Sequence, residues 1–214
     1  HSLGQLIKQW KVSRKLLPNL STLQIHSATF ETGILENEAV LQKLAHLKST
    51  FGIKIGLTTT GDNQTEVLRE AVEVTIDDDP LFEVFQITYN ILDQSLLEVL
   101  DLIDVNNNRI VIKEALANGR LFPNTNYSAY KNMYVALEQL AEKYKVGIDA
   151  IALQFCVQTI HPFVVLSGAS EISQLKENLK VNEFQLLAEE VSQLKSFNID
   201  AIDYWSERKR LGWN

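Results

Sequence analysis

The sequence predicts an α/β fold: about five parallel strands with helices outside, forming part of an eight-stranded (β/α)8 barrel. Three observations predict it. Short apolar runs of strand character alternate with helical periodicity along the chain. The first three runs begin near residues 20, 52 and 84, roughly 32 residues apart, which suits a βαβ unit. Their cores are almost continuously apolar, as parallel strands are when helices cover both faces. A barrel of the TIM type closes at eight strands, and five are legible. Three βα units are therefore expected ahead of residue 1. Residues 1–214 would then be a single incomplete domain with a tail from about residue 197.

The elements follow in order. Ser2-Leu3-Gly4-Gln5 is a capping-box pattern, and the helix it opens carries Leu3, Leu6, Ile7, Trp10 and Leu17 before Pro18 stops it. Residues 20–27 read as a strand ending in His26 and Ser27. Asn37 is a plausible cap for the next helix, with Val40, Leu44 and Leu47 as its buried stripe. Residues 52–57 form the second strand, ending in Thr58-Thr59-Thr60-Gly61. A helix through Val67, Leu68, Ala71 and Val72 follows. Asp77-Asp78-Asp79-Pro80 reads as a solvated turn, because no histidine or second acidic cluster accompanies it to hold a metal.

Residues 84–90 are the third strand, leading to a helix through Leu96, Leu97, Leu100 and Ile103. Asn106-Asn107-Asn108 is turn chemistry. Residues 110–112 form the fourth strand, which leaves through Lys113 and Glu114. After an excursion over residues 120–126 come two helices split near Gly147. Residues 163–166 are the fifth strand. The turn Ser167-Gly168-Ala169-Ser170 starts a helix through Ile172, Leu175 and Leu179, with Ser170 its expected cap. A final helix spans about 183–196.

Composition narrows the function. A formal charge of -7 opposes binding to nucleic acid, and the one basic run, Arg208-Lys209-Arg210, is short. No apolar stretch approaches the ~20 residues of a membrane span. Lys8, Lys11, Arg14 and Lys15 interrupt any signal-like start. A single cysteine, Cys156, excludes an internal disulfide framework, so a cytoplasmic location is expected, and its apolar surroundings make it an inert thiol. There is no G-x-G-x-x-G, which disfavours a Rossmann site. His26 has a different standing, because residues at the carboxyl ends of barrel strands face the reaction. His1, His46 and His161 read as incidental.

Four motifs in register resemble the C-terminal two-thirds of an aldo/keto reductase, from the first helix to about residue 196. Leu23-Gln24-Ile25-His26 resembles the strand that ends in the family's catalytic histidine. Ile55-Gly56-Leu57-Thr58-Thr59 is similar to a family strand whose final polar pair binds the nicotinamide carboxamide. Phe85-Gln86-Ile87-Thr88-Tyr89-Asn90 looks like the strand whose glutamine makes the neighbouring amide contact. Ser167-Gly168-Ala169-Ser170 with Gln174-Leu175-Lys176-Glu177-Asn178-Leu179 resembles the segment that holds the cofactor's phosphates and adenine. Its glycine and alanine would leave a helix N-terminus uncovered for a phosphate.

The resemblance implies an oxidoreductase that uses NADP(H) or NAD(H) to transfer hydride to or from a small aldehyde, ketone or sugar. His26 would be catalytic. Thr58, Thr59, Gln86, Lys113, Ser167, Gly168, Ala169, Ser170, Gln174, Glu177 and Asn178 would line the cofactor. No metal is implied. The family's proton-donating tyrosine, with its lysine and aspartate, belongs to the first three units, and no tyrosine of this chain matches that motif. Little turnover is therefore expected from these residues alone.

The departures are specific. Thr59 stands where the family usually has asparagine. Lys113 stands where an aromatic often stacks on the nicotinamide, and it could instead pair with Glu114 or reach the substrate. Gly168 and Gln174 stand where members that prefer NADPH often carry Lys and Arg, which leaves NADH open. These departures keep two alternatives: a regulatory barrel that senses a cofactor or serves a partner, and an inactive fragment. In the tail, Trp205, Leu211 and Trp213 would either shape a substrate pocket or pack on outer helices. The oligomeric state is not legible.

Overall fold

The structure, a computed structural model, describes residues 2–103 and 108–212. It contains a five-stranded parallel sheet ordered β1 (Thr22–Ala28), β2 (Lys54–Thr59), β5 (Val84–Thr88), β6 (Arg109–Lys113), β7 (Val164–Val165), with helices in the connections, and a separate two-stranded ladder of β3 (Thr75–Ile76) and β4 (Asp79–Pro80). The chain divides into two compact units. One comprises His1–Ile87 with Glu98–Ile110; the other comprises Thr88–Leu97 with Val111–Asn214.

The first unit begins with α1 (Leu3–Ser13), capped as its sequence predicts by Ser2 Oγ, which accepts from Gln5 N at 3.3 Å. β1 (Thr22–Ala28) and α2 (Glu38–Phe51) follow. Asn37 caps α2 by accepting from Val40 N, and Val40, Leu41, Leu44 and Leu47 make its buried face. β2 (Lys54–Thr59) pairs in parallel with β1, Leu23 opposite Ile55 and Ile25 opposite Leu57. After α3 (Gln64–Glu73), β3 (Thr75–Ile76) and β4 (Asp79–Pro80) form a small hairpin with Asp77 and Asp78 at its tip. The expected acidic turn is there, and the turn chemistry extends into a short ladder that the sequence does not announce.

β5 (Val84–Thr88) pairs with β2, placing Gly56 opposite Val84 and Thr58 opposite Gln86. A Cβ on Gly56 would lie 2.6 Å from Val84 O, so this close approach of two strands requires glycine. β6 (Arg109–Lys113) starts here, with Arg109 N bonded to Glu83 O. At the amino ends of these strands Glu83 binds Lys54 at 2.6 Å and Lys48 at 3.1 Å.

The second unit takes up the end of β6 and adds α4 (Lys131–Tyr144) and α5 (Ile148–Ile160). Gly147 lies between these helices, as the sequence suggests. α5 is buried along Ala150, Ile151, Leu153, Phe155 and Cys156. Burial pushes the Cys156 thiol up, which fits an inert side chain. β7 (Val164–Val165) pairs in parallel with β6, Val111 opposite Val164. α6 (Ile172–Leu179), α7 (Ala188–Lys195) and α8 (Ala201–Lys209) complete the unit.

Two expectations need correction. The helix expected through Leu96 and Ile103 is a pair of 3-10 turns, Ser95–Glu98 and Leu100–Leu102. Side chains hold the start of this stretch: Asn90 Oδ1 accepts from Leu92 N and Asp93 N, and Asp93 Oδ1 accepts from Ser95 N and Ser95 Oγ. Such local bonds compete with helix formation.

The helix expected over 183–196 shortens to α7, because α5 captures the preceding backbone. Gln154 donates to Phe184 O, while Gln158 donates to Leu186 O and accepts from Leu186 N. The tail expected from about 197 folds into α8, which buries Tyr204 and Trp205. The turn residues Asn106 and Asn107, along with His1 and Trp213, lie outside the described residues.

Candidate active site

In the first unit the candidate residues sit at the carboxyl ends of β1, β2 and β5. β1 does not end regularly. Ile25 lies opposite Leu57 and Ala28 opposite Thr59, so β1 carries one more residue than its partner over this interval. The extra residue makes a bulge at His26 and Ser27, with Ser27 at φ +53. A bulge re-aims the side chain it carries, and the His26 imidazole is exposed, its Nδ1 3.0 Å from Ser27 Oγ. It opens on a cleft of about 370 Å3 lined by Gln5, Leu6 and Gln9 of α1 and by Gln24 and His26 of β1. The sequence places His26 at a strand end but gives no sign of the bulge.

Thr58 and Gln86 are register partners in parallel strands and so share a face of the sheet. Thr58 Oγ1 donates to Gln24 Oε1 at 3.4 Å, which makes a polar row of Gln24, Thr58 and Gln86. Strand alternation turns Thr59 to the opposite face. It is fully buried, and its Oγ1 has no partner among the described residues.

In the second unit, Lys113 and Glu114 leave the end of β6. Glu114, at φ +55, is the hub of a network that the sequence reading missed. Its Oε1 accepts from Arg208 Nη2 at 2.6 Å and Nε at 2.8 Å; its Oε2 accepts from Tyr204 Oη at 3.1 Å. Asn90 Nδ2 donates to both Tyr204 Oη and Glu114 O. Arg120, 1% exposed, donates to Ala117 O, Tyr204 O and Glu207, and lies over the Tyr204 ring at 4.0 Å. A signal was present: Tyr204 and Arg208 are four residues apart, on one face of any helix formed there.

The loop after β7 has its own geometry. Gly168 sits at φ +66 with open space where a side chain would be. Ser167 Oγ accepts from Ala169 N. Gln174 Oε1 folds back to accept from Ser170 N at 2.9 Å, Ser170 Oγ and Glu171 N. Glu171, not Ser170, is the cap of α6, and its carboxylate accepts from the Gln174 backbone. The helix start expected to be uncovered is thus partly covered by its own side chains.

Glu177 pairs with Lys180 at 2.7 Å. Asn178 is 4% exposed; its Nδ2 donates to Ser167 O, while its Oδ1 has no partner among the described residues.

The sequence profile of the Aldo/keto reductase family matches residues 3–199. The chain belongs to the aldo/keto reductase family. Solved aldo-keto reductases share its fold. A point mutant of Gox0644 in complex with NADPH matches with a TM-score of 0.67 and 19% identity over 97% of this chain and 67% of that one. The holo form of AKR11C1 from Bacillus halodurans gives 0.67 and 25% identity over 91% and 67%. The thermostable Tm1743, in complex with the inhibitor epalrestat, gives 0.63 and 23% over 83% and 59%. The chain thus spans about two thirds of the length of these aldo-keto reductases. No curated protein matches its sequence. Among the described residues, no helix is long and apolar enough to cross a membrane.

Proposed function

We propose that the intact protein is an NAD(P)H-dependent oxidoreductase of small carbonyl compounds, interconverting an aldehyde, ketone or sugar with its alcohol. One observation carries the cofactor reading: Asn178 holds the loop after β7 through its Nδ2 and leaves a buried Oδ1 acceptor without a partner among the described residues. Such an acceptor is costly unless a ligand donor meets it, and an adenine amino group is one. Gly168 leaves open space where a side chain would be, and a diphosphate would lie there next to the start of α6.

The bound nicotinamide would supply the hydride. Thr58 and Gln86 would hold its carboxamide, while the contact the family makes from the position of Thr59 would be lost, since Thr59 is turned to the opposite face. Ser167, Gly168, Ala169 and Ser170 would hold phosphate, with Gln174, Glu177 and Asn178 at the adenosine. His26, aimed by its bulge, would orient or polarise the substrate carbonyl. The tyrosine, lysine and aspartate of the family's mechanism have no match in these residues, so the 214 residues alone would turn over little.

The NADPH of the Gox0644 complex makes NADP(H) the first cofactor to test. Glu171 and the absence of a cation at Gly168 and Gln174 weigh toward NAD(H), since a 2′-phosphate prefers Arg or Lys. A cytoplasmic setting fits the single buried thiol. The test is a titration of the full-length protein with NADPH and with NADH, following cofactor fluorescence. Saturable binding of either is expected, and binding of neither overturns the reading.

A further inference from the structure

β6 carries one lysine to its carboxyl end and nearly buries it, with the Lys113 side chain 13% exposed. An ammonium brings three donors and seeks acceptors for them. Lys113 Nζ makes no hydrogen bond among the described residues. Its nearest carboxylate oxygen, Glu114 Oε1, is 3.9 Å away and already accepts twice from Arg208. The other Glu114 oxygen accepts from Tyr204. Asp93, the next carboxylate, is engaged by Ser95 N and Ser95 Oγ. The Trp205 ring lies 5.4 Å from Nζ, a favourable face but not a hydrogen-bond acceptor of the usual kind.

A simple ion pair with Glu114 does not account for this arrangement. The carboxylate is bound more closely by Arg208, which leaves the ammonium near charge but without a bond. Burial pulls the Lys113 pKa down and Arg208 adds to that, while Glu114 and Asp93 oppose it. A desolvated donor of this kind gains most from an acceptor that arrives with a ligand.

We propose that Lys113 Nζ receives an anionic oxygen, carboxylate or phosphate, of the molecule bound at the carboxyl end of β6, and so selects carbonyl substrates that carry such a group. The selection of substrates rests on the function proposed above; the anion site does not. A charge-assisted bond of this kind is worth roughly 10- to 100-fold in affinity.

The experiment uses the full-length protein with Lys113→Met, Lys113→Gln and Lys113→Arg. Tryptophan fluorescence, to which Trp205 contributes beside the ammonium, is followed on titration with succinate and with inorganic phosphate. Saturable binding of at least one anion, weakened about 10-fold or more by Lys113→Met and Lys113→Gln but only a few-fold by Lys113→Arg, is expected. Unchanged anion binding in both the Met and Gln variants, or none in the parent protein, overturns the site.

A second readout separates the sources of the anion. If it belongs to the substrate, Lys113→Met lowers the ratio of kcat/KM for succinic semialdehyde to that for butanal. If it belongs to the cofactor diphosphate, the ratio holds and the affinity for NADH or NADPH falls instead. Neither cofactor binding would defeat the oxidoreductase reading while leaving the anion result to stand or fall by itself.

Discussion

His26 and Glu114 both stand at strand ends, and the molecule holds them by opposite means. His26 is exposed on a bulge, aimed by one extra residue in the backbone. Glu114 is gripped by the side chains of Tyr204 and Arg208, 90 and 94 residues later in the chain, with Asn90 completing the grip. The difference separates two ways of building a site. A backbone device exposes its side chain towards a substrate and adds little to the stability of the fold. A side-chain network fixes its members through long-range bonds, so that losing one exposes the others to unmet polar demand.

The largest test of that contrast is His26→Ala in the full-length protein. Carbonyl reduction should fall by about 10²- to 10⁴-fold in kcat/KM, with cofactor affinity nearly intact. The melting temperature should stay within roughly 2 °C, as for an exposed substitution. A collapse in stability would show that the imidazole is structural and would erase the distinction. An unchanged rate would remove His26 from the mechanism.

Arg120→Leu probes the other side. It strips donors from Ala117 O, Tyr204 O and Glu207 and empties the face of the Tyr204 ring. Tyr130 also donates to Glu207, at 2.6 Å, so the network is disturbed beyond one pair. A loss of about 3 kcal/mol in denaturant unfolding is expected, the order found when one partner of a buried ionic group is removed. A loss below about 1 kcal/mol would mean that α8 is held by its apolar face alone.

The same contrast explains what the sequence reveals. The strands, the long helices and the alternation are legible because they follow from local periodicity. The cap at Asn37 and the division at Gly147 are legible for a similar reason, since each depends on neighbours within a few residues. His26, Thr58 and Gln86 are legible as strand-end positions. The bulge that aims His26 is not, because register is a relation between β1 and β2 that neither strand carries by itself.

Nor are the bonds from Gln154 and Gln158 that hold Phe184 and Leu186 and shorten α7. The Glu114 network was half legible: the spacing of Tyr204 and Arg208 is helical, but their common partner lies far back in the chain. The sequence marks Gln174 as a cofactor contact, but its folding back onto Ser170 and Glu171 depends on a loop conformation that composition does not set.

The smallest effect lies at the opposite strand ends of the first unit. Barrels commonly assign stability to the amino-terminal rim and chemistry to the carboxyl-terminal one, and Glu83 with Lys54 and Lys48 occupies the former. Burial raises the Glu83 pKa, but hydrogen bonds from Lys54 and Lys48, with their charges, outweigh it and hold the carboxyl below its ordinary value. A carboxyl depressed in the folded state stabilises fully above its unfolded pKa, and that contribution is lost as pH falls through the folded value. Glu83→Gln should therefore lower stability by roughly 1 kcal/mol near pH 7, because the pair is partly exposed. The gap from the parent protein should close by about pH 3, below the ordinary carboxylate range. Thermal unfolding of the two proteins at both pH values measures it. A gap that persists at low pH would locate the role of Glu83 in packing rather than charge, and the amino-terminal rim would then be held by shape, like β2 and β5 at Gly56.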